Sequence, residues 1–250
     1  MARTESFADH FSGRAASYSQ YRPGYPVELF AYLSSLCAAH ERVWDCATGS
    51  GQAARQFSQY FESVIASDAS FAQIKNTNAA GRYSRLSCLA EQTPFIDRSF
   101  DLITVAQAMH WLDLDRFYPE VKRLLKPKGV LAVWSYSLMQ INPAIDDIVR
   151  HFYAETVGPY WPFERKLVEN AYRDLDFPFI EMAPAHFTMQ ADWSLEQLLG
   201  YLSTWSAVKR YREDRGEDPM PLITAQLSSA WGEQAARTVH WPLSLRVGTL

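Results

Sequence analysis

The sequence is poor in cysteine, in unbalanced charge and in long apolar runs. Its three cysteines, Cys37, Cys46 and Cys88, are odd in number and widely spaced, which predicts reduced core thiols and excludes a disulfide framework or a zinc pattern. The 24 Lys and Arg residues against 28 Asp and Glu give a net charge of −4, without the basic excess of nucleic-acid-binding domains. We therefore expect neither a metal site nor a nucleic-acid partner.

No apolar run approaches the roughly 18 residues that a membrane-spanning helix needs. The first residues lead into no apolar signal core, so we expect a cytoplasmic protein without a membrane partner. With 250 residues, 48% of them hydrophobic, the chain suits one α/β domain with a cap or an insertion. We expect a single domain over residues 1–250. The sequence indicates no particular oligomeric state.

Apolar runs of strand length alternate with helical patterns through the first half of the chain. Strands are predicted over 42–46, 63–67, 83–89, 100–106 and 130–134, and helices over 26–40, 52–60, 70–79 and from Asp113 or Asp115 to Leu125. Such alternation with short connections predicts a parallel sheet covered on both faces. Ligands of these sheets bind at the carboxyl ends of the strands, where the strand order reverses.

The pattern changes after residue 140. Residues 141–157 have helical spacing, and residues 158–178 are rich in proline and aromatics, which is too apolar for a linker. We predict that 141–178 form a lid insertion over the pocket. Two late strands at 180–190 and 236–247 flank helices at 194–212 and 219–232. The expected fold is a doubly wound, mostly parallel seven-stranded sheet with an antiparallel last strand, plus the lid.

Two strand ends carry the strongest functional signal. The first strand ends at Asp45 and is followed by small residues up to Gly51, and the second ends in another carboxylate, Asp68. Small residues let the backbone approach a ligand, and the helix that follows offers unpaired N–H groups. An acid at the end of the next strand accepts the hydroxyls of a ribose in dinucleotide folds. The pattern therefore predicts a nucleoside site.

Several motifs in order resemble the class I S-adenosylmethionine-dependent methyltransferases. The matching segments are Asp45-Cys46-Ala47-Thr48-Gly49-Ser50-Gly51, Ala90–Phe95 with Ser99-Phe100-Asp101, Ala106-Gln107-Ala108-Met109-His110-Trp111 and Leu124–Leu131. Two further segments resemble trans-aconitate methyltransferase-like proteins of the small-molecule branch, namely Tyr18-x-x-Tyr21-Arg22-Pro23-x-Tyr25-Pro26 and Gly200-Tyr201-Leu202-x-Thr204-Trp205-Ser206. The resemblance covers nearly the whole chain. Ala47 departs from it, because the family usually has glycine there.

The resemblance implies S-adenosyl-L-methionine as cofactor and residues 1–25 as a segment over its site. The cofactor-binding residues that it implies are Tyr18, Tyr21, Arg22, Asp45, Ala47, Gly49, Gly51, Asp68, Ala90, Glu91 and Gln107. Within this set Asp68 suits the ribose diol, Glu91 or its backbone the adenine, and Asp45 the amino group. Both aspartates also fit solubilising strand ends, and Glu91 fits an ordinary loop acid. Arg22 could bind the methionine carboxylate or an acidic acceptor, and a solvated side chain is its alternative.

The acceptor side is predicted from fewer residues. His110 follows the fourth strand, where it is a general base, a hydrogen-bonding group that orients the acceptor, or a structural neighbour of Trp111. Aromatic faces such as that of Trp111 can stabilise a sulfonium. Successive 100° steps along a helix place Trp205 and Arg212 on one face, and a planar guanidinium suits an acidic acceptor. An internal ion pair is the alternative for Arg212.

These residues predict methyl transfer to a small molecule, and the resemblance suggests methyl-ester formation on a carboxylic acid. A cofactor-binding protein without catalysis is one alternative. The other is an NAD-dependent dehydrogenase, because Gly49-x-Gly51-x-x-Ala54 also satisfies the loose dinucleotide pattern. Asp45 stands four residues before Gly49, however, where its charge would repel a pyrophosphate.

Overall fold

The computed structural model describes residue 21, residues 23–77 and residues 82–250. One mixed sheet organises these residues, and its eight strands are β1 (Arg42–Cys46), β2 (Ser63–Asp68), β3 (Ser84–Ser87), β4 (Phe100–Ala106), β5 (Leu125–Tyr136), β6 (Ile180–Met182), β7 (Phe187–Trp193) and β8 (Arg237–Thr249). The order is β3-β2-β1-β4-β5-β8-β6, and β7 also pairs with β8. Strands β1 to β5 are parallel, whereas β8 is antiparallel to β5.

Nine α-helices occur in the described part of the chain. They are α1 (Val27–Ser35), α2 (Gln52–Phe57), α3 (Phe71–Asn76), α4 (Leu114–Leu124), α5 (Pro143–His151), α6 (Arg165–Glu169), α7 (Leu195–Ser203), α8 (Ser206–Arg215) and α9 (Pro221–Trp231). Single turns of 3₁₀-helix lie at Met109–Trp111 and Gly158–Tyr160, with a π turn at Phe152–Thr156. No helix among the described residues is long and apolar enough to cross a membrane.

Two apolar clusters cover the two faces of the sheet. Phe30 of α1 and Phe57 of α2 pack on one face together with α9, and Phe117 and Val121 of α4 pack on the other. Leu102, Ile103 and other residues of the central strands are fully buried, as expected for strands covered on both sides. The predicted doubly wound α/β fold with an antiparallel last strand is therefore confirmed.

The sheet has eight strands where seven are predicted, because the strand predicted over 180–190 is interrupted. β6 and β7 both pair with β8, and Met182 lies opposite Val247 while Phe187 lies opposite Leu243. Residues 183–186 thus face residues 244–246, with one residue more on the interrupted side. Pro184 lies in this segment and has no backbone N–H to donate to a ladder.

The helix predicted over 194–212 is also two helices. α7 ends at Ser203 and α8 begins at Ser206, with Trp205 between them in an extended conformation at ψ 138°. The Ser203 and Thr204 hydroxyls donate to the carbonyls of Gly200 and Tyr201 at 2.7 and 2.6 Å. Such side-chain bonds compete with continued helical bonding. Trp205 and Arg212 therefore do not share the continuous helix face that the sequence predicts.

Candidate active site

A cavity of about 580 Å³ opens at the carboxyl ends of the parallel strands. The cavity is lined by residues at or just after the end of each of the first five strands, including Gly49, Asp68, Glu91, His110 and Tyr136. The strand order reverses at β1, which pairs with β2 on one side and β4 on the other. Parallel sheets bind ligands at this position, so the cavity is the candidate active site.

Asp45 lies beneath the loop that follows β1 and is fully buried. Its carboxylate accepts hydrogen bonds from the Thr48 hydroxyl, the Ala54 amide at 3.0 Å and the Thr104 hydroxyl at 3.2 Å. Ala54 is in the first turn of α2, so Asp45 caps that helix and ties the loop to β4. Burial raises the pKa of Asp45 to about 6. The carboxylate organises the loop from below and does not line the cavity.

The two glycines of the loop face opposite ways. Gly49 has φ +55°, and a Cβ built on it would meet no atom within 4 Å, since this position faces the open cavity. Gly51 has φ +79°, and a Cβ there would lie 2.5 Å from Thr77 Cγ2 and 2.7 Å from the Tyr83 hydroxyl oxygen. Glycine at 51 is thus required by packing and glycine at 49 by backbone conformation at the cavity wall. Ala47, at φ 52°, adopts the left-handed conformation without being glycine.

Asp68 stands at the cavity wall, at the end of β2. One carboxylate oxygen accepts the Gly49 amide at 3.0 Å, and the other accepts the Ser70 amide at 2.9 Å. Two bonds from rigid backbone fix the position of the carboxylate. Asp68 therefore couples the end of β2 to the small-residue loop after β1.

Glu91 and Gln107 also line the cavity, and each is bonded to a neighbouring element. Glu91 accepts the amide of Asp113, the residue before α4, at 3.0 Å. The Gln107 side-chain oxygen accepts the Tyr136 amide at 2.8 Å, although Gln107 itself has φ 56°. This pairing extends the contact between β4 and β5 beyond the ends of their ladder.

His110 reaches the cavity from the 3₁₀ turn after β4, and its imidazole meets a tyrosine of the predicted lid. Nδ1 of His110 lies 2.7 Å from the Tyr172 hydroxyl, and the Trp111 ring is 4.7 Å from the imidazole between centroids. Burial, together with the charge of Arg165, lowers the pKa of His110 to about 3. The imidazole is therefore neutral at pH 7, and it is a weak base.

Comparison with known proteins gives the family. Residues 44–133 match the model of the methyltransferase domain. A Dictyostelium discoideum protein named as a methyltransferase is 34% identical over 95% of this chain and 93% of its own length. The chain belongs to the class I S-adenosylmethionine-dependent methyltransferases. A solved structure from Anaeromyxobacter dehalogenans, described as a type II methyltransferase, superposes with a TM-score of 0.85 at 38% identity, over 91% of this chain and 97% of that one.

The methyltransferase fold and its cofactor are thus as predicted from the motifs, and the dehydrogenase alternative is excluded. A Saccharomyces cerevisiae relative that is named as S-adenosylmethionine-dependent is 27% identical over 54% of this chain and 49% of its own length. The assignment to the trans-aconitate methyltransferase-like branch stays a prediction.

The fold of this methyltransferase places eight of the predicted site residues around one cavity. They are Ala47, Gly49, Asp68, Ala90, Glu91, Gln107, His110 and Trp111. Their individual roles remain predictions. Asp45 and Gly51 support the loop from the protein side, as described above. Tyr18 and Arg22 lie outside the described residues.

The remaining predicted residues lie away from this cavity wall. Tyr21 packs on α7, where a Cβ at Gly200 would lie 2.5 Å from its ring. Trp205 is 5% exposed and packs against Phe152, Tyr153, Trp161 and Tyr201. Arg212 forms an ion pair with Asp218 at 2.8 Å. The structure thus gives Arg212 the internal partner that was its alternative, and it places neither Trp205 nor Arg212 for acceptor binding.

Three residues of the segment predicted as a lid lie at or near the cavity beside His110 and were not predicted as site residues. Glu164 lines the cavity, Tyr172 contacts His110, and Arg165 lies close enough to affect the His110 pKa. The proline- and aromatic-rich composition indicated a lid there. Nothing in the sequence pattern indicated which of its side chains would reach the strand ends, because that depends on how the segment turns between residues 158 and 175.

Proposed function

We propose that this methyltransferase methylates a small carboxylic acid to its methyl ester, with S-adenosylmethionine held by Asp68 and the loop at Gly49. The cavity carries the proposal. Its volume of about 580 Å³ falls within the roughly 300–1,000 Å³ typical of small-ligand sites, and cofactor and acceptor must share it. An acceptor of modest size is therefore favoured over a macromolecular one.

The residues of the cavity fit the cofactor. Gly49 leaves open space at the wall, and Asp68 is a fixed carboxylate of the type that pairs with ribose hydroxyls. When bound, S-adenosylmethionine supplies a methyl group bonded to a positively charged sulfur, and an acceptor that takes this methyl group displaces the sulfur in line. The chain has only to align the acceptor and exclude water for such a displacement. Aromatic side chains that can align the acceptor and exclude water line the cavity, namely Tyr25, Tyr136 and Trp111.

The low basicity of His110 favours a carboxylate acceptor. A hydroxyl or ammonium acceptor must lose a proton, and a base works best when its pKa is near the working pH. With its pKa lowered to about 3 by burial, His110 does not meet that condition. A carboxylate is already ionised at pH 7 and needs no base.

Two measurements test the proposal in sequence. Isothermal titration with S-adenosylhomocysteine should show binding, and incubation of S-adenosylmethionine with a panel of small acids, phenols and amines should give a methylated acid by mass spectrometry. An ester product releases methanol on alkaline hydrolysis, whereas a methylated amine does not. Binding without transfer to any acceptor class would favour a non-catalytic protein, and transfer to amines alone would contradict the carboxylate proposal.

A further inference from the structure

The contact between the lid and the strand ends has a chemical consequence for His110. Tyr172 is 1% exposed and lies at φ +57°, a left-handed conformation that an aromatic residue rarely adopts. It directs its hydroxyl to Nδ1 of His110 at 2.7 Å. Residues held in unfavourable backbone conformations cluster at functional sites, where the surrounding structure maintains them.

The hydrogen bonds around the Tyr172 hydroxyl assign the imidazole proton. Burial raises the pKa of Tyr172, so the phenol keeps its proton. Among the described residues, His110 is the one side chain within hydrogen-bond distance of this buried hydroxyl. A phenol that accepted from Nδ1 would leave its own proton buried without an acceptor, so the phenol donates its proton to Nδ1. A neutral imidazole that accepts at Nδ1 carries its proton on Nε2.

Arg165 adds positive charge on the same side. Its Nε donates to the Tyr153 hydroxyl at 2.8 Å, and its guanidinium stacks on the Trp161 ring at 4.9 Å. Within residues 21, 23–77 and 82–250, no carboxylate lies within ion-pair distance of this guanidinium. The Tyr153 hydroxyl in turn donates to the Glu169 carboxylate, so the charge of Arg165 is balanced through this hydroxyl and not by a direct ion pair.

We propose that Tyr172 holds His110 with its proton on Nε2, so that His110 donates a hydrogen bond to the carboxylate of the methyl acceptor while Arg165 supplies the attracting charge. His110 is then a donor to the acceptor and not a base, and Tyr172 is a positioning residue. The inference rests on the proposed function, since it concerns the acceptor of that reaction. Arg165 acts on His110 without lining the cavity, and the charged groups that do line it are Asp68, Glu91, Asp113, Arg116 and Glu164.

The first test reads the imidazole directly and needs no acceptor. Long-range ¹H–¹⁵N spectra of ¹⁵N-histidine protein bound to S-adenosylhomocysteine, assigned by the loss of one signal in His110→Gln, should show a protonated Nε2 and an unprotonated Nδ1. The pattern should stay unchanged from about pH 5 to pH 8 and should be lost in Tyr172→Phe. A proton on Nδ1, or a titration within this range, would overturn the inference. Absence of S-adenosylhomocysteine binding would instead overturn the proposed function.

The second test separates donor from base by kinetics with an acid that the wild type methylates. Gln can accept from Tyr172 with its carbonyl and donate with its amide, so His110→Gln should retain activity within about tenfold, whereas His110→Ala should lose more. Tyr172→Phe should lower kcat/KM for the acid about tenfold without changing the KM for S-adenosylmethionine. Tyr32→Phe, which removes a hydroxyl outside the cavity wall, is the control. Equal losses in Gln and Ala variants would contradict the donor role.

The third test addresses the charge. Arg165→Met should raise the acid KM several-fold, and the matched change Arg150→Met, at an exposed arginine elsewhere in the lid paired with Asp147, should not. Glu164→Gln distinguishes acceptor classes, because removing this cavity carboxylate should weaken a cationic amine acceptor but not an acid. An unchanged acid KM in Arg165→Met would remove Arg165 from the inference.

Discussion

The two ends of this cavity, which we propose hold the cofactor and the acceptor, are built in opposite ways. At the cofactor end, Thr48 and Ala54 both donate to Asp45 within a span of ten residues, and Asp68, one strand further on, accepts the Gly49 amide. At the acceptor end, His110 and Tyr172 are 62 positions apart, and their contact depends on the path of the lid. The first arrangement follows from a local sequence motif, whereas the second arises only from the tertiary fold.

This difference indicates that cofactor binding depends on the loop after β1 and that acceptor choice depends on the lid segment. The loop after β1 is held by hydrogen bonds to Asp45 and Asp68, so its shape does not depend on the predicted lid. A lid can change its residues without disturbing that loop, which allows the acceptor to vary. Substitutions at the cofactor end should therefore change cofactor affinity, and substitutions in the lid should change acceptor kinetics alone.

The largest effect is expected for Gly49→Val. The valine side chain would enter the open cavity, and φ +55° is unfavourable for a β-branched residue, so S-adenosylhomocysteine affinity should fall about a hundredfold or more by calorimetry. Gly216→Val is the matched control, because Gly216 has φ +69° and equally open surroundings at the end of α8. It should lose similar stability while keeping cofactor affinity. Normal affinity in Gly49→Val would show that the loop does not contact the cofactor.

A pH-dependent effect is expected for Asp45. Burial raises its pKa from 3.8 to about 6, so the native state holds the proton more tightly than the unfolded state. The stabilisation from this group is full below about pH 4 and is lost as the pH rises through 6, by about 3 kcal/mol. Asp45→Asn can keep an acceptor for Thr48 and Ala54 without ionising. The free energy of unfolding of the wild type, relative to this variant, should therefore fall between pH 4 and pH 7 in denaturant titrations.

The exposed Asp147→Asn provides the baseline, with a side chain that is 69% exposed. If the wild type and Asp45→Asn have parallel stability curves over this range, then Asp45 ionises at its ordinary pKa. Burial would then not disfavour the ionised carboxylate.

Asp68→Ala should weaken S-adenosylhomocysteine binding by about 2 kcal/mol, the scale of lost charge-assisted hydrogen bonds. Because Asp68 also anchors the amides of Gly49 and Ser70, calorimetry should be accompanied by thermal unfolding. Asp68→Asn keeps an acceptor oxygen and should recover part of the affinity. Asp147→Ala should change neither quantity, and unchanged affinity in Asp68→Ala would contradict the ribose assignment.

The same contrast explains what the sequence could and could not predict. The parallel order of β1 to β5 and the loop with Gly49 follow from local patterns of apolar runs and small residues, so they were predictable. The break at Trp205 arises from hydroxyls of Ser203 and Thr204 bonding to carbonyls, a choice that helical periodicity does not contain. Arg165 gained its position through Trp161 and Tyr153 in the lid, which no spacing rule could anticipate.

The smallest effect is expected for Ala47→Gly. Ala47 holds φ 52°, where an L-residue with a Cβ is disfavoured by about 1–2 kcal/mol, and glycine would relieve this cost. Glycine also raises the entropy of the unfolded chain, which offsets roughly 0.4–1 kcal/mol. The free energy of unfolding should therefore rise by up to about 1 kcal/mol, with unchanged affinity for S-adenosylhomocysteine. Ala225→Gly, in the exposed interior of α9, should have the opposite sign and cost about 1 kcal/mol. A loss of stability in Ala47→Gly as large as that in Ala225→Gly would show that the turn after β1 is not strained by alanine, and that its shape is set by the Asp45 network alone.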